Sequence, residues 1–249
     1  MNRHVDLISE RQVAKEAIFR LVEAHLRYER FDGTMSDELV RISFERGDSA
    51  AVVLHDQEDD TVVFVEQFRY PTLKTGTGWM LELPAGIIQT SQSGEGEVTV
   101  RRELLEETGY EAGALTHVFT FYLSPGASSE RLFLYYGSLR TTRSIAPGGG
   151  VRNEGEDIRT VFMRLDDALS KIGTGEIADA KSIIALQWLR LSSLSGQFMH
   201  LKAPEGSQSD DGSGAGQNAS RRTDGDGHSK GKSPRRRRRI PPTTRSVGP

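Results

Sequence analysis

The run Arg102-Glu103-Leu104-Leu105-Glu106-Glu107-Thr108-Gly109-Tyr110 decides how the rest of the chain is read. From Glu97 to Thr108 the period is helical: Val98, Val100, Leu104 and Leu105 recur among charges, and Gly109 supplies the left-handed residue at which helices commonly stop. Glu103, Glu106 and Glu107 stand at i, i+3 and i+4, so three carboxylates share one helical face. Like charges at that spacing destabilise an isolated helix, so the face is either fully solvated or built for a cation. Hard oxygen donors suit Mg2+, or alternatively Mn2+, ions that keep water ligands and bridge to substrate phosphates.

Outward from the helix the pattern is mostly strand. Trp79 to Leu83 reads as a strand that must end at Pro84-Ala85-Gly86, and a glycine-punctuated loop, Ser91 to Gly96, carries Glu95 to where Arg101-Arg102 could pair with it. Ala50 to Leu54 and Thr61 to Phe68 are apolar runs split by the polar turn His55 to Asp60, which predicts a hairpin. Ile8 to Val13, Ile18 to Phe31 and Leu39 to Phe44 alternate around a turn signal at Asp32-Gly33 and predict an N-terminal antiparallel β-segment. Downstream, Val118 to Leu123, Leu132 to Leu139 and Ile158 to Met163 read as strands. Leu165 to Ile172 and Ala178 to Leu194 read as helices broken by Gly173-Thr174-Gly175. This order predicts an α+β fold with a mixed sheet.

The chain has 249 residues and no cysteine, which excludes thiolate chemistry, zinc knuckles, iron-sulfur clusters and disulfides. No apolar run approaches the ~18 residues of a membrane span, and the opening MNRHVDLISERQ lacks the apolar stretch of about 7 to 15 residues of a signal peptide, so a soluble, cytoplasmic protein is expected. The net charge of -3 is divided: Pro204 to Pro249 hold ten Lys and Arg against five Asp and Glu, leaving 22 against 30 on the preceding residues. An acidic body of this kind is a poor polyanion binder unless its carboxylates surround cations. Those last 46 residues contain four hydrophobic residues, no aromatics and eight glycines, a composition that predicts disorder. The five-arginine run Arg235 to Arg239 reads as a solvated tail, an import signal or a nucleic-acid tether, and a nucleic-acid partner is expected only through it. The six histidines are scattered without ligand spacing, and Trp188 with Ile183, Ile184 and Leu191 is at core spacing.

Gly86, Glu95 and the run from Arg102 to Tyr110 together resemble the Nudix box of the Nudix hydrolases. The second half matches the family pattern R-E-U-x-E-E-x-G-U at every fixed position. The first half departs from the usual G-x5-E-x7-R, because eight residues separate Gly86 from Glu95 and six separate Glu95 from Arg102. Gly94 stands where counting back from Arg102 asks for glutamate, and Glu95 is read as the shifted equivalent in a longer loop. Leu81 to Gly86, Glu66-Gln67-Phe68-Arg69, Ser124-Pro125-Gly126 with Glu130, Gly155 to Arg159 and Ser182 to Trp188 further resemble the ADP-ribose and nucleoside-diphosphate-sugar pyrophosphatases, over about Ile8 to Ser193.

The resemblance implies a Nudix-type α/β/α sandwich in three parts: residues 1–47 as a β-segment for dimerisation and a base pocket, 48–203 as the hydrolase domain, and 204–249 as a disordered basic tail. It implies metal-dependent hydrolysis of a diphosphate bond to a nucleoside monophosphate and a sugar phosphate, with ADP-ribose weighed ahead of GDP-mannose, by a homodimer. Glu103 and Glu107 would be the principal metal ligands, with Glu106 assisting and the carbonyl of Ala85 completing the site. The base, or a third metal ligand, would come from the flexible acidic loop Gly148 to Asp157, with Glu156 first and Glu154 second. Arg69 would contact phosphate or base, Gly86 would border the substrate, and Glu130 would bind sugar hydroxyls. Lys181 is a weaker phosphate candidate whose other reading is a helix-surface lysine, and Phe19 and Tyr28 are candidates for stacking the base. The competing class is a non-catalytic nucleotide sensor whose arginine tail touches nucleic acid.

Overall fold

The computed structural model describes residues 3–89, 94–140 and 143–194; the tail at 204–249 and part of the loop before the helix lie outside them. The central strand shows why the molecule is layered. In β4 (Ser49–Asp56) the run Ala50-Ala51-Val52-Val53-Leu54 is buried throughout. Because side chains alternate along a strand, Ala51 and Val53 enter one core and Ala50, Val52 and Leu54 enter another. The first core is closed by α2 (Leu165–Thr174) and α3 (Ala180–Leu194), through Leu165, Ala168, Ala185, Leu186 and Leu189. The second is closed by Val100 and Leu104 of α1 (Glu95–Thr108). Helices on both faces make the expected sandwich, and a strand covered on both sides has no polar alternation to show.

Among the described residues the sheet has seven strands. β4 pairs in parallel with β9 (Arg131–Leu139), which pairs antiparallel with β8 (Ala112–Tyr122); β5 (Thr61–Phe68) lies on the other side of β4 and β10 (Arg159–Arg164) beyond it. The single parallel pair makes the sheet mixed. β6 (Trp79–Glu82) pairs with β5 and ends just before Pro84, as the sequence predicts, but the chain stays in the sheet. It crosses over and returns as β7 (Ala85–Ile87) on β4, because the Pro84 carbonyl still accepts a hydrogen bond from the Val52 N–H at 3.1 Å. Proline removes only a donor.

The N-terminal segment is a separate antiparallel meander of β1 (Val5–Glu16), β2 (Phe19–Tyr28) and β3 (Leu39–Glu45). Its first turn is at Ala17, in the left-handed region at φ 50°, rather than only at Asp32-Gly33. β1 is exposed along its whole length, including Val5, Leu7, Ile8 and Val13. Among the described residues no helix is long and apolar enough to cross a membrane.

Candidate active site

Helix α1 delivers its glutamates to three depths. The side chain of Glu106 is 34% exposed, that of Glu103 14%, and Glu107 as a residue only 2%. Arg102 bridges the outer two, donating to Glu103 Oε1 at 2.6 Å and to Glu106 Oε2 at 2.7 Å. Glu107 points under β7, where the Ala85 N–H donates to its Oε2 at 3.2 Å. Gly86 lies against Glu103 so closely that a Cβ there would be 1.8 Å from Oε1 and would push the Glu103 carboxylate from its place.

The electrostatics of this face are unbalanced. Burial, reinforced by the charges of Glu103 and Glu156, pushes the Glu107 carboxyl up to about 8, against the pull of the Ala85 N–H and Arg69. Burial also raises Glu103, with Glu106 and Glu156 adding to the rise and Arg102 opposing it. Glu103, Glu106, Glu107, Glu156 and Arg69 are therefore brought into one field.

The loop that carries Glu156 is not the flexible tether the glycines suggested. Gly148, Gly149 and Gly150 have φ of 63°, 92° and 80°, and the N–H groups of Gly149 and Gly150 donate at 2.9 Å to the carbonyls of Glu107 and Glu106, capping the end of α1. The glycines serve three successive left-handed positions and close packing, since a Cβ on Gly148 would stand 2.6 Å from Thr108 carbon. Beyond them Glu156 Oε2 accepts the Val151 N–H at 2.8 Å. Glu154, in the short 3-10 turn Arg152–Glu154, is exposed and has no side-chain partner among the described residues.

Two other expectations change. Arg101 and Arg102 do not pair with Glu95: Arg101 takes Glu97 at 2.8 Å and the carbonyls of Ala112 and Gly113, while Arg102 takes Glu103 and Glu106. Partners four residues away on the same helix are simply closer. Lys181 is not on a helix surface. It is 7% exposed, with Nζ 2.7 Å from Glu82 Oε2 and 3.1 Å from Asp179 Oδ2. Glu82 also receives Arg69 in two bonds, at 2.9 and 3.2 Å. Burial alone opposes its ionisation, yet Lys181 and Arg69 hold the Glu82 carboxyl down to about 2. Glu82 was missed in the sequence, although a glutamate in the apolar run Trp79 to Leu83 is a signal that a cation waits for it.

Glu130 belongs to a neighbouring locus. It is buried, accepts the Ser49 hydroxyl at 2.8 Å, and lies 3.7 Å from Arg46. Arg46 lines a cleft of about 1240 Å³ together with Lys15, Arg20 and Arg131, the aromatic Phe133 and Tyr135, and Ile88 and Gly96. At about 1.5 Å per residue, the carboxylate face begins about 10 Å further along α1 than Gly96. Phe19 stacks on Phe44 at the cleft end of β2, whereas Tyr28 sits at the opposite end, about 30 Å away at 3.3 Å per residue.

No three His, Asp or Glu side chains among the described residues stand in finished metal-ligand geometry. The donor set nevertheless fits a hard divalent cation: it is all oxygen, and a buried carboxylate among like charges is relieved by added positive charge.

Comparison with known proteins meets this geometry. A model of the NUDIX domain matches residues 45–193, more than half of the chain. A GDP-mannose pyrophosphatase of Citrobacter koseri is 37% identical over 153 residues, 61% of this chain and 78% of that protein. One of Cronobacter sakazakii is 36% identical over 196 residues, 77% of this chain and 97% of that protein. Among solved structures, a crystal structure of an ADP compounds hydrolase shares the fold with a TM-score of 0.59 and 19% identity, over 80% of this chain and 97% of that one.

Proposed function

This chain belongs to the Nudix family and is a Nudix hydrolase, and from that premise we propose that it cleaves the diphosphate bond of a nucleoside diphosphate sugar to a nucleoside monophosphate and a sugar phosphate. Two relatives named GDP-mannose pyrophosphatase move GDP-mannose ahead of ADP-ribose, which the sequence reading had placed first. The fold neighbour's name concerns ADP compounds, at an identity that carries the fold alone.

The observation that carries the reading is Glu107, buried and uncompensated beside Glu103 and Glu156. Glu103 and Glu107 would hold Mg2+, with Glu106 at the outer edge and the Ala85 backbone beside Glu107. Bound there, the metal would neutralise the diphosphate and lower the pKa of a water. Arg102 keeps Glu103 and Glu106 aimed, and Gly86 leaves the strand thin enough for the phosphates to approach. Arg69, gripped by Glu82 through Nε and Nη2, has Nη1 without a partner among the described residues and can meet a phosphate oxygen. Glu156 is the better-placed base, since its charge already reaches Glu103 and Glu107, and it must exchange the Val151 N–H for the water proton. The basic, aromatic-sided cleft suits the nucleotide and its charge, with Glu130 at its margin for hydroxyls.

The test is a panel of sugar nucleotides including GDP-mannose and ADP-ribose, with Mg2+ or EDTA, for the wild type and Glu107→Gln. Cleavage of at least one to a monophosphate is expected, abolished by EDTA and reduced on the order of 10²–10³-fold in Glu107→Gln. Binding of a nucleotide without cleavage of any would replace this reading with that of a sensor.

The N-terminal meander supports the homodimer. A wholly exposed edge strand carrying Val5, Leu7, Ile8 and Val13 is a surface that soluble chains usually cover, and a second copy supplies the same surface. Light scattering should give twice the chain mass; a monomer at micromolar concentration would remove the proposal.

A further inference from the structure

Gly149 and Gly150 are adjacent and share one backbone role. Their φ angles are 92° and 80°, and each N–H donates at 2.9 Å to a carbonyl in the last turn of α1. What surrounds them differs. A Cβ on Gly149 would meet nothing nearer than the Ile158 carbonyl oxygen at 3.8 Å, an ordinary contact. A Cβ on Gly150 would stand 2.8 Å from both Cβ and Oε2 of Glu156 and 3.0 Å from Cδ1 of Ile158. Because Cβ of Glu156 is bonded directly to the backbone, turning that side chain does not clear the overlap, and the loop itself has to move. Ile158 is buried, which closes the other way out.

The Glu156 carboxylate is held from the next residue as well, since its Oε2 accepts the Val151 N–H at 2.8 Å. Gly150 therefore lies between two fixed points. On one side is its own bond to the helix that bears Glu103 and Glu107; on the other is an acid whose charge reaches both of them. We propose that Gly150 is a positioning residue for the hydrolysis: the space left by its missing side chain is where Glu156 rests, and that space sets the carboxylate against α1. The inference rests on the hydrolase reading above, in which Glu156 acts as base or metal ligand, and holds for either part. A displacement of about 1 Å at a reacting centre is enough to cost on the order of 10²-fold in rate.

Full-length Gly149→Ala, Gly150→Ala, Glu156→Gln and the double variant of the last two are compared with wild type for Tm, kcat and KM, using GDP-mannose or whichever panel member the wild type cleaves. Both alanines carry the same left-handed strain, so Gly149→Ala is the control for it. Folded Gly150→Ala is expected to lose about tenfold or more in kcat with KM changed by less than about threefold, against a loss below about twofold in Gly149→Ala. On the Glu156→Gln background the same substitution should cost less than about twofold more, because two changes acting through one side chain do not add. An equal fall in Gly149→Ala, an unchanged kcat in Gly150→Ala, a loss carried by KM alone, or additive losses in the double variant would each overturn the proposal. Wild-type kcat in Glu156→Gln would remove the acid being positioned and overturn it as well. If Gly150→Ala does not fold, adding Glu156→Gly takes away the atoms it meets, and that pair should fold; continued failure places the conflict elsewhere and overturns the proposal. If the wild type cleaves nothing, the hydrolase reading fails by itself. The positioning is then read from hydrogen exchange at the Val151 amide, whose protection should fall about tenfold in Gly150→Ala and stay in Gly149→Ala; equal protection in the two overturns it.

Discussion

Glu82 and Glu107 are the same side chain at nearly the same burial, 4% and 2% exposed, yet their carboxyls titrate near 2 and near 8. The difference lies in the company each keeps. Glu82 stands between Lys181 and Arg69, so its charge is compensated before any ligand arrives, and the group serves the fold. Glu107 is buried beside Glu103, and the Ala85 N–H, Arg69 and, last, Glu156 act on it in that order, so the pull of its one nearby cation does not offset its burial. Burial by itself does not distinguish a structural acid from a ligand; the sign of the neighbouring charge does.

The sharpest way to break this contrast is to neutralise the compensated acid. Glu82→Gln leaves Lys181 and Arg69 without their shared anion and should lower stability by about 3 to 4 kcal/mol in a denaturant titration. A change below about 1 kcal/mol would mean that the network is ornamental to the fold. A pH series on metal-free protein separates the two groups further. The Glu82 pKa is depressed, so its contribution is present above the ordinary carboxyl value and is lost as pH falls from about 4.5 through about 2, a loss on the order of 3 kcal/mol. The Glu107 pKa is raised, so the protonated form favours the fold at low pH and stability declines as pH rises from about 4.5 through about 8. That decline should reach about 2 kcal/mol, since water entering beside half-buried Glu103 relieves part of the burden, and both Glu107→Gln and saturating Mg2+ should flatten it. A decline that persists in Glu107→Gln assigns it to another group.

Helix α1, its glycine stop, the central strands and the three glutamates were legible because each is declared by local period or spacing. The box glutamates needed no knowledge of what packs on them. What the sequence concealed was partnership across the fold. The Arg101-Arg102 pair could have reached Glu95, but Glu97 and Glu106 were nearer on the same helix. Lys181 lay in a helix whose first turn is capped by Asp179; Ser182 meets Leu83 and Lys181 meets Glu82 only after about a hundred positions of chain have folded between them. β7 was hidden by Pro84, whose carbonyl remains available to the sheet. The three glycines at 148–150 signal looseness in composition and have the opposite effect in place.

Those glycines bear on the kinetics proposed for Glu156. Its loop is fastened to α1 by the Gly149 and Gly150 N–H groups and closed behind by the Ile158 N–H on the Gly149 carbonyl at 3.1 Å, so the proposed base is tied to the end of the helix that bears Glu103 and Glu107. If Glu156 is the base, its approach to the water would be that of a loop tethered at both ends rather than the swing of a free arm. In the language of intramolecular reactions, the loop trades amplitude for effective molarity, and most of the orientational entropy is lost when the chain folds instead of when the substrate arrives.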